Sequence, residues 1–465
     1  MLKRIALPFA AGFCRIVARA PKPILAAVGK VLGAMIARDC AIICRATDTS
    51  APCILVFNAN RYGEDLEALA ASGRLTIYSI PVSWIQRLPS LFGCEGQLPR
   101  DSYFRETDPK LLSRRAELQR FLKPVIEALS RRTEATCIVT PAIHYVADFE
   151  WAGAAVAAGI HFVAAHKEFT VIDKRHLPEF VAFYEEHAMR FQGSWIFVAS
   201  EKAKRMFVDS GIAPPEKIQV VGIPRIDRIA AEDSPFRIRR SHRKQVTWFA
   251  FGHYAGGIPV GERRSHVFSK YDTEGFVQLF EQTLAVCAEL AVANPDVMFK
   301  IKSKYPEMFL PEIERCTQKF VGRSLADIKN FELVTEQAPA LIRDSDVVIG
   351  FSSTTLLEAL ILDRPAIVPW FAEALDRYRE FGYLRDYKDA FLEAGSKTKL
   401  TEMVSGLLNQ EEITSPISPE RRQESLDYYL GFADGSAVEK FCDAIELTLK
   451  QRPEPVFSLQ GSHAD

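Results

Sequence analysis

The chain of 465 residues lacks most of the features that would mark a secreted, metal-stapled or nucleic-acid-binding protein. Its nine cysteines are Cys14, Cys40, Cys44, Cys53, Cys94, Cys137, Cys287, Cys316 and Cys442, odd in number and scattered, with no CxxC pair. That spacing excludes a disulfide framework and a zinc-ribbon site, and suits a reducing, cytoplasmic setting. There is no charge excess, with 58 Lys and Arg against 59 Asp and Glu, so the global basic field of a nucleic-acid binder is missing. No uninterrupted apolar run is long enough to cross a bilayer, and no GxGxxG fingerprint marks a dinucleotide site. What the chain does have is 48% hydrophobic residues, enough for sizeable cores, and a length for which two domains is the natural count.

Acidic residues are missing from one segment in particular. Residues 1–38 carry Lys3, Arg4, Arg15, Arg19, Lys22, Lys30 and Arg38, and the first acid is Asp39. Leu, Ile, Val, Phe and Met lie between these basic residues, and Pro8, Pro21 and Pro23 divide the segment into short helices. Such a pattern predicts one or two basic amphipathic helices over residues 1–45, suited to the inner face of an anionic cytoplasmic membrane. The alternative is a helix packed on its own domain.

Residues 46–232 alternate between strand and helix patterns. Strands are predicted at Pro52–Asn58, Leu75–Ile80, Thr136–Thr140 and Ile160–Ala165. Helices are predicted at Tyr62–Ser72, with Arg61, Asp65 and Glu67 toward water, at Asp108–Arg132 and at Phe149–Ala158. Alternation of this kind implies a parallel, doubly wound sheet, whose ligands sit outside the strand carboxyl ends. That rule singles out His166 and Glu168, which follow the strand Ile160–Ala165. Either can serve as a general base, His166 because its pKa lies near working pH. His144 and Asp148 are further candidates after Thr136–Thr140.

A polar stretch at 229–245 contains Arg237, Arg239, Arg240, Arg243 and Lys244, and reads as a solvated linker centred on 233–245. The second domain, 246–450, opens with the strand Val246–Phe251 and a Gly-rich loop that begins Gly252-His253. Such a loop lets backbone approach a phosphate closely. A helix is predicted at Gly275–Asn294, and Val297–Lys304 reads as a strand that ends in Lys302 and Lys304, cations able to pair with phosphate. Phe331–Thr335 is a strand and Ala338–Arg343 a short helix. From Asp346 to Val368 the pattern is strand, the hydroxyl run Ser352, Ser353, Thr354 and Thr355, helix, Pro365, strand. A helix start at a strand carboxyl end attracts anions, and Glu358 lies within its first turns, in reach of a ribose hydroxyl. Residues 436–450 read as a helix and 451–465 as a mobile tail.

The segment from Asp344 to Phe371 resembles the donor-nucleotide segment in the second domain of GT-B glycosyltransferases. It is most like bacterial surface-polysaccharide enzymes and CDP-glycerol glycerophosphotransferase-like proteins. A second block, Val198–Asp227 with Val-x-Gly-x-Pro-Arg-x-Asp near its end, resembles the segment that closes the first domain of the same enzymes. It marks Pro224, Arg225 and Asp227 as interdomain residues. The resemblance implies an α/β fold of two Rossmann-like, doubly wound parallel-sheet domains facing across a cleft. It implies a nucleotide-activated donor held by Gly252, His253, Lys302, Lys304, Ser352–Thr355 and Glu358, and an acceptor handled near His166. Lys167 stands where the family often has Gly, and the His of its Lys-x-His-Pro segment is missing after Lys302. The terminal helix is expected to cross back to the first domain.

Asp344-Ser345-Asp346 matches the Asp-x-Asp metal motif of another glycosyltransferase class, but it precedes its strand, on the side away from ligands. No metal or cofactor is expected. The implied function is transfer of a sugar from a nucleotide-activated donor to a glycan or lipid-linked acceptor in cell-surface polysaccharide biosynthesis. A CDP-glycerol or CDP-ribitol phosphotransferase, a nucleotide-sugar 2-epimerase and a non-catalytic scaffold of the same form are the alternatives.

Overall fold

The structure is a computed structural model. It describes residues 12, 14–94, 103, 107–168, 170–186, 189–231, 234–235, 238, 243–256, 274–304 and 306–456. Arg237, Arg239 and Arg240 of the linker and the start of the basic N-terminal segment lie outside the described residues.

Strands of three to six residues form where short apolar runs are punctuated by turn residues. In the first sheet these are β1 (Ala41–Cys44), β2 (Cys53–Val56), β3 (Thr76–Ser79), β4 (Cys137–Thr140), β5 (His161–His166), β6 (Trp195–Val198) and β7 (Ile218–Val220). Their order is β1-β3-β2-β4-β5-β6-β7. All neighbours are parallel except β1, which runs antiparallel to β3 at the edge. Strands β2, β4, β5 and β6 are buried at every residue, as befits a parallel sheet covered on both faces. Phe57 anchors one core, edge-on to Trp151 at 5.4 Å and to Phe162 at 5.6 Å.

The second sheet contains β8 (Gln245–Ala250), β9 (Met298–Ser303), β10 (Phe331–Val334), β11 (Val347–Gly350), β12 (Ala366–Pro369) and β13 (Leu392–Ala394). It is parallel throughout, in the order β10-β9-β8-β11-β12-β13. Its core gathers Trp248, Phe280, Phe251, Phe351 and Phe276, with ring centroids of successive neighbours 4.8–5.9 Å apart. Side-chain oxygens accept N–H groups at several helix starts: Asp108 before Pro109–Thr133, Ser396 before Lys397–Leu408 and Ser418 before Pro419–Leu430. Each satisfies a donor that the helix itself leaves unpaired.

The chain divides into two compact units. One holds residues 1–169, 180–227 and 436–465, the other 170–179 and 228–435. Two exchanges depart from a division drawn along the chain. The helix Ala437–Leu449, placed by sequence with the second domain, buries Phe441, Cys442, Ala444 and Ile445 in the first unit's core, as the resemblance implied. Asp227 receives the first N–H groups of this helix, from Ala437 at 3.1 Å and Val438 at 2.6 Å. In the other direction, residues 170–179 interrupt the first unit's sequence but bury Asp173 in the second. There its Oδ1 accepts from the Arg385 and Asp386 N–H groups and the Tyr429 hydroxyl.

Other expectations need correction. Tyr62–Ser72 is two helices, Ala59–Tyr62 and Glu64–Ala71, broken at Gly63, whose φ of 51° favours glycine. Residues 451–456 are not a loose tail: Gln451 O faces His161 Nε2 at 3.1 Å, and the Val456 N–H donates to Gly193 O at 2.8 Å. The helix Lys22–Asp39 packs on Pro109–Thr133, with Gly29 against Pro124 and Gly33 against Val125 and Ala128. So one face of the basic segment is a domain contact. Among the described residues no helix is long and apolar enough to cross a membrane.

Candidate functional site

In the second sheet the chain runs outward from β8 through β9 to β10, then restarts on the other flank of β8 with β11. The carboxyl ends of β8 and β11 therefore meet where the winding reverses, the position at which open α/β sheets bind ligands. Gly350, the last residue of β11, pairs with Phe249 of β8. The loops leaving these two strands are Gly252-His253 and Phe351–Ser353.

The β11 loop is sharply turned. Ser352 has φ of 52°, an uncommon conformation for a residue with a side chain. Its Oγ accepts the Tyr383 N–H at 3.0 Å, which holds the turn in place. Ser353 caps the helix Thr354–Ile361: its Oγ accepts the Thr355 N–H at 3.3 Å and lies 2.8 Å from the Thr355 hydroxyl. Glu358, one turn further on, is buried. The four hydroxyl residues predicted from sequence thus surround one helix start, with its N–H groups and positive dipole end at the switch point.

On the β8 side Gly252 leads into a turn closed by an Ala255 N–H bond to Gly252 O at 3.0 Å. Among the described residues, a side chain at Gly252 would meet only Phe309, at 3.7 Å. At Gly256, φ is 70° and a Cβ would sit 2.0 Å from Phe381 O, so glycine is required there. His253 Nε2 faces Glu312 Oε1 at 3.0 Å.

The lysines are placed differently from one another. Strand β9 is internal, between β10 and β8, not an edge. Lys302 donates to Thr335 O at 3.2 Å at the end of β10, one strand away from the switch, and Lys304 is exposed beyond β9. Asp344 and Asp346 lie at the opposite ends of their elements. Asp344 takes two bonds from Arg343, and Asp346 accepts the Gln245 N–H at 2.8 Å.

In the first sheet the winding reverses between β2 and β4. There Asp148, buried in the first turn of Val146–Ala157, accepts from Thr140 Oγ1 at 2.5 Å and from Asn58 Nδ2 at 3.0 and 3.3 Å. Asp148 ties the two strand ends together. A small cavity opens one strand along, at the carboxyl ends of β5, β6 and β7. His166, Lys167, Tyr62, Asp65, Gly222 and Phe441 are among its walls.

The structure brings both sequence-selected histidines to this place. His166, 3% exposed, has the His144 ring edge-on at 5.1 Å and the Phe207 ring at 4.9 Å. His144 Nε2 is 2.6 Å from the Tyr184 hydroxyl, its ring stacked on that tyrosine. Glu168 lies on the surface beyond Lys167.

Asp65 was expected in water and is 3% exposed. It stands 3.5 Å from the Lys167 ammonium and 3.3 Å from the Arg225 guanidinium, and accepts the Arg225 N–H at 3.1 Å. Burial lowers the Lys167 pKa, and the Asp65 charge acts against that shift. Pro224 opens the Pro224–Ala230 helix and also lines the cavity. Arg225 and Asp227 are thus committed to Asp65 and to the terminal helix, both within the first unit. Sequence reasoning missed Asp65 and Tyr184 because each lies on a helix whose apolar pattern does not mark it. Only the pairing of β5 with its neighbours brings His166 and Lys167 to them.

No protein-family model matches the chain, and no curated protein matches it by sequence. Solved structures do match by shape. A putative UDP-N-acetylglucosamine 2-epimerase from Listeria monocytogenes matches over 86% of this chain and 97% of its own, with 12% identity and a TM-score of 0.50. UDP-GlcNAc 2-epimerase from Neisseria meningitidis, bound to UDP-GlcNAc, covers 86% and 100% with 14% identity and a TM-score of 0.47. The wall teichoic acid polymerase TagF covers 70% and 74% with 13% identity and a TM-score of 0.42. At these identities the likeness is one of fold.

Proposed function

From the GT-B fold of this chain we propose that it is a glycosyltransferase that takes a nucleotide-activated sugar and transfers it to a glycan or lipid-linked acceptor. The observation that carries this reading is the meeting of the Gly252 loop and the capped helix start Ser352–Thr355 at the β8/β11 switch point. A nucleoside diphosphate at that helix start receives backbone N–H groups and the dipole end, which stabilise the leaving diphosphate as charge develops on it. Glu358 holds the ribose. Lys304, exposed at the end of β9, supplies a cation to the donor phosphates, with Lys302 and His253 nearby on the same sheet end. No metal enters this scheme.

The acceptor side is the cavity below His166. His166 or Glu168 takes the proton from the acceptor hydroxyl as that oxygen attacks the anomeric carbon and the nucleotide leaves. The acceptor this reading favours is a cell-envelope glycan met at the inner face of the cytoplasmic membrane.

The test is a thermal-shift screen against CMP, CDP, UDP, GDP, dTDP and their sugar and alditol conjugates, on the parent and on Glu358→Ala. A ligand that binds the native state raises the melting temperature by mass action. One nucleotide that stabilises the parent and not the variant is the expected result, and it names the donor class. Stabilisation by CDP-glycerol or CDP-ribitol alone reassigns the chain as an alditol phosphotransferase. Isomerisation of the bound donor without any acceptor reassigns it as a 2-epimerase. An absence of shift from every nucleotide leaves the scaffold reading in its place.

A further inference from the structure

Exposed apolar side chains are unevenly distributed over this protein. Among the described residues fourteen large apolar side chains are exposed, and six of them, Ile16, Ile24, Val31, Met35, Ile42 and Ile43, fall within one stretch of 28 residues. Three belong to the helix Lys22–Asp39. At about 100° per residue, positions 24, 31 and 35 fall within about 40° of one another on its circumference. Ile24 is 51%, Val31 63% and Met35 42% exposed.

The other face of the same helix is fully used. Leu25, Gly29, Gly33 and Ile36 are buried, and the two glycines sit against the backbone and side chains of Pro109–Thr133. The helix is therefore held in place by one face and presents a second apolar stripe outward. A surface helix of a globular protein ordinarily turns polar residues to water there. By the same helical geometry exposed Arg38 adjoins the stripe, about 40° from Ile24, and exposed Lys30 lies further round on the same side, at about 120°. The only acid within 22–45 is Asp39, which lies 3.6 Å from Arg38 and accepts from the Trp84 indole.

We propose that this outward face docks on an anionic lipid surface, with Ile24, Val31 and Met35 inserted at the headgroup boundary and Lys30 and Arg38 among the lipid phosphates. Charge complementarity selects lipid over a second copy of the chain, because two copies meeting through this face would oppose like-charged borders. Apolar insertion and lipid charge act together in such binding, each too weak alone. The assignment extends the acceptor-at-the-membrane reading, but it is read without donor, acceptor or turnover.

The experiment is flotation of the full chain with phosphatidylcholine vesicles, with and without phosphatidylglycerol. The parent is expected to float with phosphatidylglycerol vesicles and to be released by high salt. The variant Ile24→Glu/Val31→Glu/Met35→Glu changes only exposed positions, so the fold is retained. It is expected to bind on the order of tenfold more weakly or less. Lys30→Glu/Arg38→Glu is expected to weaken binding to anionic vesicles alone. Met308→Glu/Leu310→Glu, at exposed apolar positions of the other unit, is the control and should float as the parent does. Equal flotation of the triple variant and the parent overturns the proposal, as does binding that ignores phosphatidylglycerol. A lipid-free dimer that the triple variant abolishes assigns the face to a second copy instead. A nucleotide-induced thermal shift that survives in the triple variant separates failure here from failure of the transferase reading.

Discussion

The Asp65 carboxylate and Arg225 are joined twice, through the Arg225 backbone N–H at 3.1 Å and through its guanidinium at 3.3 Å. The same carboxylate faces Lys167 at 3.5 Å, so one buried acid fixes both the helix that follows β7 and the residue that follows His166. Removing a buried partner leaves its counter-charges uncompensated. Asp65→Asn is therefore expected to destabilise the chain by about 2–4 kcal/mol, read from urea unfolding midpoints. Lys167→Met in the Asp65→Asn background should recover part of the loss. A single variant as stable as the parent would show that the pair is solvated.

Asp227 spans a sequence separation of more than two hundred residues to receive the Ala437 and Val438 N–H groups. Asp227→Ala should cost about 1–2 kcal/mol, the range for loss of an N-cap. Limited proteolysis should then release the segment beyond residue 436 before the rest of the chain. Parent-like protection of that segment would mean that Phe441 and Ile445 hold the helix unaided.

Gly33 has no room for a side chain, since a Cβ would lie 2.6 Å from Val125 O and 2.7 Å from the Ala128 Cβ. Gly33→Val should destabilise the first unit by about 1–3 kcal/mol through overpacking. Calorimetry should show the loss with no change in the nucleotide-induced shift. An unchanged melting temperature would place the helix off its neighbour in solution.

His176 sits in the second unit, its Nδ1 accepting the Asp173 N–H at 3.1 Å and its Nε2 facing Glu380 O at 2.8 Å. That pattern fits the neutral ring with the proton on Nε2. Burial is the main cause that lowers its pKa below the ordinary histidine value, and burial lowers His161 as well. Below about pH 6.5 the unfolded chain takes up protons that these folded histidines refuse. Stability is then complete above that value and falls as pH drops through the unfolded and toward the folded pKa. Melting temperatures should decline between about pH 7 and about pH 5, with a shallower decline in His176→Gln. A variant with the parent's slope would assign the decline to other groups.

Much of the strand and helix order was legible because it is written in local periodicity. Val347–Gly350, Cys137–Thr140 and Gln245–Ala250 are short apolar runs bounded by turn residues, and each is a buried parallel strand. A cap could be read within Ser352–Thr355 because capping is settled within three residues, and the structure assigns it to Ser353. Other elements were not legible. Val82–Phe92 is a helix despite Pro89 near its end. Pro306–Val321 continues through Pro311, its sixth residue, although that proline removes an i→i−4 hydrogen bond. Asp65 reads as a surface residue on an exposed helix until Lys167 and Arg225 arrive from elsewhere in the chain.

By itself the sequence determined many of the strands and helices, the largely parallel pairing of the sheets, and that hydroxyl residues start a helix at the carboxyl end of β11. Those features follow from neighbours a few residues apart. The tertiary structure alone decided that residues 170–179 are built into the second unit, that Phe441 and Ile445 are the terminal-helix residues that complete the first unit's core, and that Asp65 is enclosed by two cations. The physical reason is common to all three: a buried carboxylate or an apolar helix face is stable only when its partners surround it, and those partners come from distant parts of the chain.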